Sequence, residues 1–393
     1  MKTRQPVPHT TVGGVVVRVV LTVATVIAPF TLLRVSGVGL AEVLFGLLFL
    51  TQVVRGVKIR HLRRFPLTWF WAAYISTSLV GAAYSTIVLD SHNRTWGSMA
   101  FDLAAYLVVF ATCFTLERMA SHSPFDIYKL NKAIFLVGSS VLSALYVYSF
   151  YSRDLFDIPL RYGPYFSPLA DNLHQVAMFL VPLPFLGLLT FTRRQWVGTR
   201  VLVLVLFAMD LVMAWNVGAT KASMAVVAGM ATLIYMGSLR FAGRPLFFLV
   251  NGVYVGALLL VTLKVDLAEL AFQFFSENDK YGARSTLYSD AIPAVLQSFV
   301  VGQGPGPHLY LNGVLKDAHQ TFLTVLLQAG VIGAIAFIAL TVRVSRRAVS
   351  VPALTAAFAA VAVYALGGDV LRRLPVWVLI FIITHWRVDS ARS

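Results

Sequence analysis

KVDLAELAFQFFSENDKYGARSTLYSDAIPAVLQSFVVGQGPGPHLYLNGVLKDAHQ, residues 264–320, is a long polar stretch in an otherwise apolar chain. It carries Arg284, His308, Asp317 and His319, and strongly apolar runs flank it on both sides. Its character as a loop, and the membrane face it occupies, set both the fold and the chemistry open to the protein.

The 393 residues are 58% hydrophobic and 12% charged, against about 25% charged in soluble domains. With a mean hydropathy of +0.77, this is the composition of a polytopic membrane protein. A net charge of +15 would suit a nucleic-acid binder if the basic residues formed a patch. They punctuate the apolar runs instead, which argues against nucleic acid as a partner. Cys113 is the single cysteine, so no intrachain disulfide holds an outer loop. The first apolar run ends in Thr31-Leu32-Leu33-Arg34 without a small-residue cleavage site, and reads as a retained helix.

A bilayer core takes about 20 mostly apolar residues per helix. Twelve runs qualify: 12–33, 37–54, 66–88, 97–115, 133–151, 172–191, 200–217, 221–239, 245–263, 320–342, 351–367 and 374–386. Unsatisfied backbone is so costly in lipid that such runs are helices. The expected fold is all-α, one integral membrane domain over residues 1–393, with 264–320 joining the ninth and tenth helices. Orientation follows from the basic residues. With the N-terminus inside, twenty Lys and Arg fall in inner segments, eleven in outer ones, and Arg18 within the first helix. That places residues 264–320 on the outer, periplasm-like face. Eleven acids join them outside, among them Asp154, Asp171, Asp317 and Asp369, while Glu117, Asp126 and Asp389 fall inside.

Glu42, Asp102 and Asp210 lie in the apolar runs. Intramembrane ionisable residues are functional candidates by default, although pairing with Arg or hydroxyls between helices is the favoured reading here. Two further outer loops bear on function. Residues 152–171 are rich in Pro and Gly, as in a folded turn, and precede a helix interrupted by Pro182 and Pro184. The short link 216–223 sets Lys221 at a helix N-terminus, where a cation opposes the helix dipole and a bound anion would compensate. Within the long stretch, the apolar spacing from Leu267 to Phe275 predicts an interfacial helix, and that from Leu287 to Phe299 a second one starting near Arg284. The segment GQGPGP (302–307) breaks it; no strand precedes its glycines, so it is not a nucleotide-binding turn.

A metal site could draw on His308, Asp317 and His319, but they lack a tight ligand motif. No Gly-x-Ser-x-Gly elbow marks a serine nucleophile. What stands out is a set of cations around a histidine, all on the outer face: Arg161, Lys221, Arg284 and His319. Arginine grips phosphate by bidentate, charge-assisted hydrogen bonds, and histidine takes a proton near neutral pH. Arg153 and Arg372 read as side chains snorkelling to lipid headgroups.

The order of these features resembles the O-antigen ligase family, within the group that includes O-antigen polymerases. Gly282-Ala283-Arg284 with Tyr288 looks like the family's Gly-x-Arg helix start. Ala318-His319-Gln320, followed by Ala329-Gly330-Val331-Ile332-Gly333, is similar to its His-Asn and Gly-rich pattern. Gly368-Asp369-Val370 with Arg373 and Pro375 looks like the closing segment of ligases. Lys221 stands where the family commonly has Arg, and Gln320 where it has Asn. The resemblance spans nearly the whole chain. It implies a GT-C-like architecture of about twelve helices in the bacterial inner membrane, with both termini cytoplasmic. It also implies transfer of a glycan from undecaprenyl pyrophosphate to lipid A–core by an inverting mechanism without metal or other cofactor. His319 would be the base, with Asp317 and His308 as possible supports, and Arg161, Lys221 and Arg284 would hold the pyrophosphate. The alternatives are a polymerase, which uses a second lipid-linked glycan as acceptor, and a twelve-helix transporter. No half-repeat of the transporter kind is visible.

Overall fold

The computed structural model describes residues 12–35, 38–54, 65–89, 96–121, 125–191, 196–239, 282–311, 314–318 and 320–386, with isolated positions at 245, 249 and 252–253. Helices cover eleven of the twelve apolar runs: α1 (Val12–Ile27), α2 (Leu40–Val54), α3 (Pro66–Ile87), α4 (Trp96–Ser121), α5 (Ile127–Tyr148), the pair α6 (Leu173–Leu180) and α7 (Leu183–Leu188), α8 (Val197–Asn216), α9 (Thr220–Ser238), α11 (Thr321–Ala348), α12 (Pro352–Gly367) and α13 (Leu374–His385). The polar stretch contributes α10 (Gly282–Gln297). The ninth run, 245–263, lies almost wholly outside the described residues, and the interfacial helix expected near 267–275 lies outside them entirely. Four helices, at Gly97–Ser121, Ile127–Tyr148, Val197–Asn216 and Thr321–Ala348, are long and apolar enough to cross a membrane.

Sequence accounts for the breaks. Pro182 caps α7 and Pro184 sits in its first turn, where a missing N–H is harmless. The β-structure among the described residues is four two-stranded hairpins, all in links: β1 (Arg34–Val35) with β2 (Val38–Gly39), β3 (Asp154–Leu155) with β4 (Ile158–Pro159), β5 (Arg161–Tyr162) with β6 (Tyr165–Phe166), and β7 (Leu309–Leu311) with β8 (Val314–Lys316).

Helices pack through small residues and aromatics. The faces Ala222, Ala225 and Gly229 of α9 and Ala356, Ala357 and Ala360 of α12 are buried, and a Cβ on Gly229 would lie 3.2 Å from the Ala356 carbonyl. Such close backbone approach is how apolar helices associate in lipid, where dispersion replaces the hydrophobic drive. At the centre, Trp377 stacks on Phe70 (centroids 5.5 Å, 15°) and meets Trp71 edge-on at 4.8 Å, joining α13 to α3. Leu47, Leu50 and Ile335 stay more than half exposed, an apolar exterior suited to acyl chains.

Contacts between links separate two ends of the bundle. At one end, Leu32 N donates to the Leu169 carbonyl (3.0 Å) and Thr31 Oγ1 to Asp171 Oδ1 (2.5 Å). At the other, the Glu117 carboxylate accepts from Leu67 N, Thr68 N and Thr68 Oγ1 at 2.9, 2.9 and 2.7 Å, completing the first turn of α3 as an N-terminal acid should. Glu117 is therefore not in an inner loop as read from sequence: α4 runs on to Ser121 and buries it.

The polar stretch also departs from expectation. GQGPGP is a buried chain segment wedged between α3 and a break in α11, where the sequence reading had only a helix-ending turn. Gln303 N and Gly304 N donate to the Leu327 and Gln328 carbonyls (2.7 and 3.0 Å), and Val331 N donates to the Phe299 carbonyl (2.8 Å). The segment thus takes up carbonyls that α11 releases where Gly330 turns to φ 59°. Irregular backbone survives at membrane depth only when protein satisfies it in this way. Both crossing glycines are obligatory. A Cβ on Gly302 (φ 74°) would lie 2.5 Å from Ala329 N, and one on Gly330 2.4 Å from the Val300 carbonyl. Gly330→Ala should therefore lower thermal stability by at least the ~1–3 kcal/mol of a strained non-glycine backbone. Gly46→Ala, with nothing within 4 Å of the added methyl, should be neutral in the same unfolding assay.

Candidate functional site

Two distant parts of the chain are stitched together at the end of the bundle that carries the 31–32 and 169–171 links. Thr321 Oγ1, in the first turn of α11, donates to the Gly368 carbonyl (2.7 Å) and accepts from Val370 N (3.1 Å). Gln320 caps α11, its Oε1 accepting from Leu323 N at 2.5 Å. Trp377 Nε1 donates to the Val370 and Leu371 carbonyls (3.2 and 3.0 Å). The link between α12 and α13 is thereby held against the start of α11.

Arg372 is the hub of this arrangement. Its Nη1 contacts Asp102 Oδ1 at 2.5 Å, Nη2 contacts Asp317 Oδ2 at 2.6 Å, and Nε lies 3.6 Å from Asp369 Oδ2. Burial alone would lower its pKa, but Asp369, Asp317 and Asp102 outweigh burial and raise it. Arg372 is thus not a headgroup-snorkelling side chain. The planar guanidinium spans three carboxylates from three segments, a task lysine's point charge cannot perform. Asp102 uses its second oxygen to accept from Gly306 N (3.1 Å) and Gln328 Nε2 (3.4 Å). Gln328 Oε1 in turn accepts from the Tyr74 and Tyr106 hydroxyls (2.7 and 2.5 Å). This network joins α3, α4, α11, the buried GQGPGP segment and the Arg372 link. Of the other two acids, Asp210 pairs with a hydroxyl on another helix as expected, its Oδ2 accepting from Ser139 Oγ (2.7 Å); Glu42 does not, its Oε2 accepting instead from the nearby backbone Gly39 N (2.9 Å).

The residues singled out from sequence fall around this hub unevenly. Lys221 is the second residue of α9, and its alkyl chain lies over Gly367, where an added Cβ would sit 3.0 Å from Cδ. It therefore borders the Gly368–Arg373 link directly. Asp317 belongs to the hub. Arg284 occupies the first turn of α10, and its side chain lies outside the described residues. His319 also lies outside them, between buried Ala318 and the capping Gln320. His308 is half-buried, between GQGPGP and β7. Arg161, in β5, donates from Nε to Ser149 Oγ (3.2 Å) and stacks 4.8 Å over Phe150, which ties it to the end of α5.

Beside the hub lies a cavity of about 330 Å³, lined among others by Arg34, Glu42, Asp171, Gln175, Arg372 and Arg373. Ile27, Leu33, Leu40 and Phe101 form an apolar wall. Arg373 is the residue the sequence reading undervalued. Its Nε is sealed from solvent with no hydrogen-bond partner among the described residues. Burial, then repulsion from Arg372, lower its pKa against the pull of Asp369, yet a guanidinium stays charged at any ordinary pH. The signal was available as adjacent arginines on a six-residue outer link that ends in Leu374-Pro375. Chemically, the site offers fixed cations, suited to holding phosphate groups. No family model matches this sequence, and a search of curated proteins finds no match.

Proposed function

We propose that this protein is a glycosyltransferase of the O-antigen ligase type. In this reading it has about twelve spans and a GT-C-like architecture in the bacterial inner membrane, with both termini in the cytoplasm and the site facing the periplasm. The donor is a glycan on undecaprenyl pyrophosphate, and the acceptor is a sugar hydroxyl of lipid A–core. The observation that carries the reading is the Arg372 hub with its stitched links. It gathers Asp317, two residues before His319 in sequence, the ligase-like Gly368–Arg373 segment, and Lys221 at its border. These are separate motifs of the resemblance, far apart in sequence.

The mechanism is an inverting displacement. His319 removes the proton from the acceptor hydroxyl as its oxygen attacks the anomeric carbon. The bond to the pyrophosphate oxygen breaks, and Lys221, Arg284 and Arg161 stabilise the negative charge left on the lipid pyrophosphate. A preorganised donor aimed at developing charge contributes about 3–4 kcal/mol. Asp317, held by Arg372, keeps the segment before His319 in place. The polymerase reading shares the donor chemistry and differs in the acceptor. A deletion strain separates the two by lipopolysaccharide banding. Bare core is expected for a ligase; core bearing one repeat would assign the protein as a polymerase.

A further inference from the structure

The cavity beside the hub has electrostatics that the donor site does not use. Three helices begin at its wall: α2 at Leu40, α6 just after Asn172, and α13 at Leu374. Each presents the positive end of its dipole there. Two are answered within the protein. The Glu42 carboxylate lies in the first turn of α2, and Asn172 Oδ1 caps α6 by accepting from His174 N (2.8 Å). The third, α13, has no side-chain cap. Moreover, its N-terminus carries two arginines, where cations are electrostatically unfavourable. Arg372 is matched by Asp102, Asp317 and Asp369. Arg373 Nε is buried with no hydrogen-bond partner among the described residues, beside the cavity that the residue lines. A half-buried cation whose Nε lacks a partner, at an uncapped helix N-terminus beside a cavity, is suited to an anion by both charge and geometry.

The rest of the lining narrows the ligand. Glu42, Asp171 and Gln175 face the same space, and carboxylates would repel a bare polyanion while accepting hydrogen bonds from sugar hydroxyls. Arg34 adds an exposed cation at the rim. At about 330 Å³ the cavity lies at the small end of ligand sites, which run from about 300 to 1,000 Å³. That is room for one sugar unit. We infer that this cavity binds a phosphorylated sugar, its phosphate on Arg373, Arg34 and the start of α13, its hydroxyls on Glu42, Asp171 and Gln175. The inference deepens the transferase reading by naming the part of the acceptor that docks, and it rests on that reading only for the ligand's role.

Direct binding tests it. The full-length protein in phosphatidylcholine nanodiscs is titrated with glucose 1-phosphate, glucose and inorganic phosphate, followed by saturation-transfer NMR. Saturable binding of glucose 1-phosphate, tighter than either fragment, is expected. Arg373→Gln should weaken it about tenfold or more, as loss of a charge-assisted contact does. Arg34→Gln, at an exposed position that leaves the fold alone, should weaken it less, and Arg373→Lys should recover part of the loss. No saturable binding, or wild-type affinity in both Arg373→Gln and Arg34→Gln, would overturn the assignment. Inorganic phosphate binding as tightly as glucose 1-phosphate would overturn the sugar part, as would displacement of glucose 1-phosphate by phosphatidylglycerol in the nanodisc. The two readings fail separately. Intact binding without glycan transfer defeats the transferase, whereas transfer without binding defeats this cavity.

Discussion

Arg372→Gln is expected to destabilise the folded protein by about 3–5 kcal/mol, the usual result of removing one partner from a buried ion pair. Asp102 is 2% exposed and Arg372 21%, so the orphaned carboxylate has little water to turn to. The loss extends beyond one pair, because Asp102 also holds Gly306 N and Gln328. The GQGPGP segment should loosen with it. Thermal unfolding in detergent, with hydrogen exchange at residues 302–306, reads both effects. Arg372→Lys should fall between wild type and Gln, since it keeps the charge and loses the fork. A wild-type melting temperature in Arg372→Gln would remove the hub from this account.

The second large effect concerns activity. His319→Ala should lower the turnover of glycan transfer by about 10²–10⁴-fold, the range for a positioned general base, with little change in KM. Lys221→Ala should slow the same step by losing charge stabilisation of the leaving pyrophosphate. Lys221→Arg, which restores the planar fork common in the resembled family, should retain activity. Melting temperatures of both Lys221 variants are measured alongside, since its alkyl chain packs over Gly367. Equal melting temperatures would therefore locate the deficit in chemistry.

The helices were legible because long apolar runs satisfy their backbone internally most simply as helices. Eleven runs appear as helices, with ends up to six residues from the expected limits, as where α4 runs on to Ser121 and α5 begins at Ile127, and Pro182 and Pro184 mark the break between α6 and α7. The buried packing of the GQGPGP segment was not legible. Local chemistry marks it as a turn, and only tertiary structure shows that Gly302 crosses Gly330 and that α11 supplies the carbonyls. Arg372 was misread for a related reason. An arginine at a helix end looks like a snorkel until Asp102 and Asp317, from two distant places in the chain, are brought to it beside its near neighbour Asp369. Lys221 was singled out on one argument, a cation at a helix N-terminus. Arg372 and Arg373 also stand at a helix N-terminus, before α13, but the residues that line the cavity with them come together only in the tertiary structure.

Reconstituted transfer tests the central claim most directly. Purified wild-type protein and His319→Ala are incubated with undecaprenyl-pyrophosphate-linked glycan and lipid A–core, with and without a chelator, and the product is resolved by mass. The account predicts glycan joined to lipid A–core by the wild type in both conditions and almost none by His319→Ala. Undiminished transfer by His319→Ala, or no glycan joined to lipid A–core by the wild type, would contradict it.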